Sequence, residues 1–192
     1  MTLFDLIFIG VFLVTVTILL ATAVAAVRGN RPRALGLLRG LGGLIGVYLA
    51  VVIVVSLVSP RRLIPMKEPR CFDDWCVSVD RVDRTPAGTE VSYAVTLRLS
   101  SRARARAQRE NGVSVYVLDD RGRRFEPRED PQDVPFNVLL HPGESVDATR
   151  RFVLPADVQG PGLVIAHERF PGIFIIGDDQ SMFHKPSVTR FP

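Results

Sequence analysis

The sequence predicts an all-β sandwich that follows a two-helix transmembrane hairpin. Three observations lead to this prediction. Two long apolar runs occupy the first 58 residues, an Arg-rich turn separates them, and the chain beyond residue 70 consists of short alternating segments divided by Pro and Gly. With about 60 of the 192 residues in the hairpin, the rest suits one modest domain around a single core.

Both apolar runs are long enough to cross a bilayer. Residues 6–27 contain no charge, and the second span, residues 36–58, is uncharged from Gly40 onward. An α-helix rises about 1.5 Å per residue, so each run matches the roughly 30 Å hydrocarbon core of a membrane. The Ala-rich end of the first run leaves a cleaved signal peptide as the alternative. Because the run is longer than a signal core and no Lys or Arg precedes it, the sequence favours a retained span.

The basic residues around the spans predict the orientation of the hairpin. Arg28, Arg31 and Arg33 follow span one, no basic residue precedes it, and a comparable basic cluster follows span two. Because the first helix usually dominates the positive-inside rule, we expect the turn in the cytoplasm and both chain ends outside. Residues 1–59 then form the hairpin, residues 60–70 a Pro-rich extended linker, and residues 71–192 an extracytoplasmic domain.

The formal charge of +4 is concentrated at the membrane flanks. Residues 1–65 carry a net charge of +5, and residues 66–192 carry −1. The excess of basic residues therefore lies where it sets topology and meets anionic lipid. The sequence predicts the lipid bilayer as a partner and argues against nucleic acid.

Span two is also rich in glycine. Two Gly-xxx-Gly pairs let its backbone approach another helix closely. That helix is either span one or, in a homodimer, span two of a second copy. The glycines are Gly36, Gly40, Gly42, Gly43 and Gly46.

Period-two alternation predicts the strands of the sandwich. It is clearest in residues 91–100, where every second residue is a large apolar one. Shorter candidate strands are residues 76–82, 113–118, 124–126, 137–140, 147–154, 163–167, 173–176 and 187–191. Turn sequences separate them at residues 86–88, 120–122, 142–143 and 160–162. Short strands at this spacing, with no helical period past residue 60, are typical of a sandwich.

The two cysteines predict a disulfide. Cys71 and Cys76 are the only cysteines and lie in the domain expected outside the cytoplasm, where a bond closing a small loop is the ordinary outcome. The cytoplasmic alternative is half of a zinc site, but the chain has no second Cys pair to complete it.

The segment 140–157 carries a resemblance to a known family. A Pro142-Gly143-Glu144 turn precedes a strand that ends in Pro155-Ala156-Asp157. This resembles the telokin-like, immunoglobulin-like domains of small membrane-anchored or lipid-anchored bacterial envelope proteins. The resemblance implies an immunoglobulin-like sandwich on the outer side of a bacterial inner membrane, and it implies no catalytic residues. The chain departs from the lipoprotein members because it has two spans and no lipobox cysteine.

An arginine tract follows the clearest strand. Arg102, Arg104 and Arg106 alternate with alanines, and Arg109 comes shortly after. In a strand, this spacing would place the first three on one face and form an anion-binding stripe for lipid headgroups or an acidic partner. The alternative is a solvated connection or charged edge strand, neutralised by Glu110 and other acids of the domain.

Histidines and carboxylates near the end of the chain are the candidates for a metal site. They are His167, Glu168, Asp178, Asp179 and His184. Their spacing matches no zinc signature, and the sequence contains no nucleophile elbow, phosphate loop or dinucleotide fingerprint, so we expect no cofactor. The apolar run 170–177 among them is expected to be buried near Trp75, or else exposed as a partner patch.

These observations predict a membrane-anchored binding or assembly module without catalysis. Its partner is expected to be an envelope protein or an anionic ligand, bound through the arginine tract. Two alternatives remain open. One is a small envelope metal-binding protein or enzyme that uses His167, Glu168 and His184, and the other is an accessory subunit of a membrane complex recognised through the spans.

Overall fold

The computed structural model describes residues 3–130, 132–167, 172–178 and 180–192. The chain divides into two compact units. The hairpin unit comprises Met1–Pro60 and Arg169–Lys185, and the sandwich unit comprises Arg61–Glu168 and Pro186–Pro192. Residues 172–178 and 180–185 therefore group with the helices, although the sequence places residues 173–176 among the strands.

Two helices, both apolar enough to span a membrane, form the first part of the hairpin unit. Helix α1 is Leu3–Val27 and helix α2 is Arg31–Val58. The turn between them contains Gly29 at φ +72°, a conformation that glycine adopts without steric cost. Asn30 caps α2, because its side-chain oxygen accepts a hydrogen bond from the backbone N–H of Arg33 at 3.2 Å.

Eight strands follow the helices in the described part of the chain. They are β1 (Arg70–Phe72), β2 (Trp75–Ala87), β3 (Glu90–Ser101), β4 (Val113–Leu118), β5 (Arg124–Phe125), β6 (Ser145–Pro155), β7 (Gly162–His167) and β8 (Thr189–Arg190). One four-stranded sheet has the order β1-β2-β3-β6, and the other has the order β5-β4-β7-β8. All the strand pairs are antiparallel.

The two sheets share one apolar core, which is the arrangement of a β-sandwich. The alternation predicted for residues 91–100 is confirmed, because Val95, Leu97 and Leu99 are completely buried on β3 while the residues between them are not. Phe152 on β6 and Val117 on β4 bring the two sheets into the same cluster. One buried face per strand is what period-two patterning produces in an antiparallel sheet.

Several boundaries differ from the sequence-based expectation. Strand β2 continues through Ala87, so the turn expected at residues 86–88 is a two-residue loop whose first residue, Gly88, has φ +65°. Residues 137–140 form no strand, and only Leu140 bridges to Gln108. Gly172–Phe174 forms a 3₁₀ turn in place of the expected strand at residues 173–176. A short apolar run does not distinguish these structures by its periodicity.

Candidate binding surface

The disulfide closes the hairpin between β1 and β2. Cys71 and Cys76 lie opposite each other in register, and their Sγ atoms are bonded at 2.06 Å. Between them the chain turns at Asp73, which has φ +55°. The backbone carbonyl of Asp74 in the same turn accepts a hydrogen bond from Arg102 N–H at 2.7 Å. The bonded turn thus supports the start of the arginine tract.

The arginine tract lies in the connection between β3 and β4. We call residues 102–109 the arginine loop. Its base is held at both ends, because Arg102 binds Asp74 and Gln108 exchanges two backbone hydrogen bonds with Leu140, at 2.9 and 3.0 Å. The loop is not an extended strand, so its alternation does not place three arginines on one strand face. That part of the sequence-based interpretation is wrong, because β3 ends at Ser101.

All four arginines of the loop are exposed. Arg102, Arg104, Arg106 and Arg109 form no ion pair with any acid in the described part of the chain. Glu110 does not neutralise them, since its Oε1 atom lies 2.8 Å from Nε2 of His167. The guanidinium donors of the loop are therefore open to solvent or to a partner.

Other arginines of the sandwich unit are already engaged. Arg123 donates from its backbone N–H and from Nε to the buried carboxylate of Asp119, at 2.7 Å in both cases. Burial raises the pKa of Asp119, but the hydrogen bonds from Arg123 outweigh this effect and lower the pKa below its ordinary value. The hydrogen bond to Asp119 likewise raises the pKa of Arg123. The pair closes the turn that joins β4 to β5.

Arg150 on β6 is the most enclosed guanidinium of this kind. Its Nη1 atom donates to the carbonyl of Thr149 at 2.8 Å, and its Nη2 atom donates to that of Val134 at 2.7 Å. Asp133 lies 3.5 Å away, and the ring of Phe136 lies 4.3 Å from the guanidinium carbon. Burial lowers the pKa of Arg150, while Asp133 raises it. Sequence reasoning missed this residue and Asp119 because neither belongs to a recognisable motif.

A cavity of about 380 Å³ opens beside Arg150. Its lining combines three acids with two arginines: Pro127, Arg128, Glu129, Asp130, Asp133, Pro135 and Arg150. Asp133 is paired with Arg150, and Asp130 is paired with Arg151 at 3.1 Å. These ion pairs hold Asp130 and Asp133 against β6.

The metal candidates do not assemble in the described residues. His167 is buried, binds Glu110 and stacks on Phe72 with a centroid distance of 4.5 Å. Asp178 Oδ1 accepts the N–H of Gln180 at 2.8 Å. The described ranges contain no group of three His, Cys, Asp or Glu side chains placed to hold a metal ion. The candidates Glu168 and Asp179 lie outside those ranges, and His184 belongs to the hairpin unit.

The glycines of span two face open space. A Cβ atom added at any of the five would meet nothing within 4 Å among the described residues of other elements; they are Gly36, Gly40, Gly42, Gly43 and Gly46. The structure therefore does not pack these glycines closely against α1. Pairing of two chains through them stays a prediction.

Comparisons with known proteins indicate no family. No protein-family model matches the chain, and no curated protein sequence matches it. Among solved structures, a conserved hypothetical protein from Bacillus anthracis is 14% identical and has a TM-score of 0.40, covering 53% of this chain and 87% of its own. An uncharacterised β-sandwich protein from Clostridium difficile 630 is 9% identical with a TM-score of 0.43, covering 70% and 97%. The yjhA protein from Bacillus subtilis is 12% identical with a TM-score of 0.44, covering 68% and 100%.

Proposed function

We propose that this protein is a membrane-anchored, immunoglobulin-like binding module that recognises an anionic partner through the arginine loop. The observation that carries the proposal is the contrast among its arginines. Arg102, Arg104, Arg106 and Arg109 are exposed without internal acids, whereas buried or half-buried arginines such as Arg150 have partners within the domain. A guanidinium that the fold does not use is available to a ligand.

The exposure of the helices supports the membrane anchor. No part of the most apolar 18-residue stretch of α1 is buried, and only 17% of that of α2 is. A helix pair this apolar and this exposed would be a large apolar patch in water, and lipid removes that cost. With the Arg-rich turn inside, the sandwich unit lies on the extracytoplasmic side of a bacterial inner membrane, where the disulfide is stable.

The chemistry of the loop favours carboxylate or phosphate as the bound group. Guanidinium groups form two parallel hydrogen bonds to such anions, which a Lys ammonium cannot imitate. Because Asp74 and Leu140 hold the base of the loop, less backbone entropy is lost when it binds. The partner is an acidic envelope protein or an anionic headgroup.

The test compares two triple variants of the full chain that remove the same charge. The loop variant has Ser in place of Arg102, Arg104 and Arg106. The control variant has Ser in place of three arginines that are exposed but ion-paired: Arg81, Arg121 and Arg124. Both proteins are placed in nanodiscs of neutral lipid. Their binding to vesicles containing phosphatidylglycerol, and separately to a poly-glutamate peptide, is then measured.

We expect the loop variant to bind at least about tenfold more weakly, which corresponds to about 1.4 kcal/mol, and the control variant to stay close to the wild type. Wild-type binding should weaken between about 0.1 and 1 M salt, as the screening length falls from about 10 to 3 Å. If the loop variant loses binding only to the vesicles, the partner is a lipid. If it loses binding only to the peptide, the partner is an acidic protein. Equal loss in both variants means unspecific charge attraction and contradicts the proposal, as does unchanged binding by the loop variant.

A further inference from the structure

The hairpin unit contains a compact loop formed by residues 172–178 and 180–185, which we call the apolar loop. The backbone N–H of Met182 donates to the carbonyl of Ile173 at 3.2 Å and joins its two arms. The N–H of Ser181 donates to the carbonyl of Asp178 at 3.0 Å, and the Ser181 hydroxyl donates to the carbonyl of Ile175. The described residues of the loop thus hold a defined conformation.

The apolar loop contacts both helices of the hairpin. The hydroxyl of Tyr48 in α2 donates to the carbonyl of Phe174 at 2.6 Å. Gly177 lies against Phe4 in α1, since a Cβ atom added there would be 3.9 Å from Cε2 of Phe4. These contacts locate the loop along the helices.

Their positions place the apolar loop beside the membrane-entry end of α1. Phe4 is in the first turn of α1, two residues before its uncharged run begins at Leu6. Tyr48 lies ten residues before the end of α2, which corresponds to about 15 Å of helix. The loop therefore lies alongside the helices, not beyond their ends. Because span two covers residues 36–58, Tyr48 lies near its middle, whereas Phe4 lies at the entry end of span one, so the two contacts bracket the outer leaflet.

The apolar loop exposes two large apolar side chains among its described residues. The side chain of Phe183 is 67% exposed and that of Ile173 is 40% exposed. Phe183 also has φ +64°, a region that bulky residues rarely occupy. Both belong to the same unit as the exposed apolar residues of α1 and α2, and the loop lies against one of these, Phe4, at Gly177.

We propose that the apolar loop is a membrane-embedded segment, with Phe183 and Ile173 inserted among the lipids of the outer leaflet. This inference rests on the proposed membrane anchoring by α1 and α2. Lipid is the occupant that the observations favour, because the loop is attached to the flank of helices that lipid must itself surround. The exposed cation Lys185 at the end of the loop suits the phosphate layer above the inserted side chains.

Quenching of tryptophan by brominated lipid tests the insertion. The chain has one Trp, Trp75, which is buried in the sandwich core and supplies a constant background. Three full-length variants are reconstituted into phosphatidylcholine vesicles with and without bromine on the acyl chains: Phe183→Trp in the apolar loop, Val14→Trp in the middle of α1 as the anchor control, and Leu139→Trp at an exposed site of the sandwich unit as the water control. Ile173→Trp provides a second probe of the loop.

We expect strong quenching of the Trp at position 14 at deep bromine positions and of those at positions 183 and 173 at shallow ones, with none at position 139. Quenching at 14 without quenching at 183 and 173 would overturn the inference while leaving the anchor intact. Absence of quenching at 14 would overturn the anchor and the inference together. If Trp at 183 is protected from both lipid bromine and aqueous iodide, a protein or second copy covers the loop and the inference is wrong.

Discussion

Arg150 and the arginine loop show the same side-chain type in two opposite situations. Arg150 on β6 is 11% exposed in its side chain and binds two carbonyls, a carboxylate and an aromatic face. The arginines of the loop are exposed and make no ion pair with the described acids. Both belong to the sandwich unit. The comparison teaches that the packing of neighbouring segments, not the density of charge along the chain, separates a structural arginine from one available to a partner.

The largest loss of stability should follow from Arg150→Ala. The change leaves Asp133 and the carbonyl of Val134 without their partner in a half-buried site. Breaking such a site costs about 3 kcal/mol, or on the order of 10–15 °C in melting temperature. Thermal unfolding of the purified full chain measures it, and Arg150→Lys should recover only part of the loss because an ammonium cannot bind both carbonyls in one plane. A melting temperature unchanged by Arg150→Ala would mean that Arg150 is as dispensable as the loop arginines.

A smaller loss is expected for Asp119→Asn, and it should depend on pH. The folded pKa of Asp119 is lowered, so its charge stabilises the fold above the ordinary pKa near 3.8 and this contribution is lost as pH falls through the folded value. At pH 7 we expect a melting temperature about 5–10 °C lower than that of the wild type. The difference should shrink below about pH 4. A difference that stays constant from pH 7 to pH 3 would contradict the role of the charge.

Removal of the disulfide should cost less and should affect binding as well. A loop this short is worth about 2 kcal/mol in the loop-entropy model, so replacing Cys71 and Cys76 by Ser should lower melting by roughly 5 °C without preventing folding. Because the bonded turn supports Arg102 through the carbonyl of Asp74, anion binding should weaken by about two- to fivefold. Free thiols in protein purified without reductant would refute the bond itself.

The smallest effect on stability is expected where the effect on binding is greatest. The side chains of the loop arginines make no ion pair in the described residues, and a change to Ser keeps the backbone hydrogen bond of Arg102 to Asp74, so changing Arg102, Arg104 and Arg106 to Ser should shift melting by less than about 2 °C. A shift as large as that of Arg150→Ala would show that the tract is structural, and the proposed binding role would lose its basis.

The part of the structure predicted from sequence is the part that depends on single segments. The two helices, the alternation of β3 and the pairing of Cys71 with Cys76 each follow from composition or spacing within a short stretch. The arginine tract was found in the same way, but its geometry was not, since the end of β3 at Ser101 is set by the strands beside it. The exposure of these arginines and their lack of ion pairs within the described residues cannot be read from the sequence.

Contacts between distant segments were decided only by the tertiary structure. Glu110 is hydrogen-bonded to His167, 57 residues further along the chain. The contact occupies Glu110, which the sequence suggested as a partner of the arginine tract, and His167, which it suggested as a metal ligand. Tyr48 is hydrogen-bonded to Phe174, 126 residues further along the chain. The apolar segment that contains Phe174 therefore belongs to the hairpin unit, whereas its composition predicted a strand of the sandwich. Amphipathic periodicity and turn residues are local, so they produce patterns that can be recognised in the sequence. A contact between distant residues produces no such pattern, because each residue alone is compatible with many neighbours and only the folded arrangement selects one.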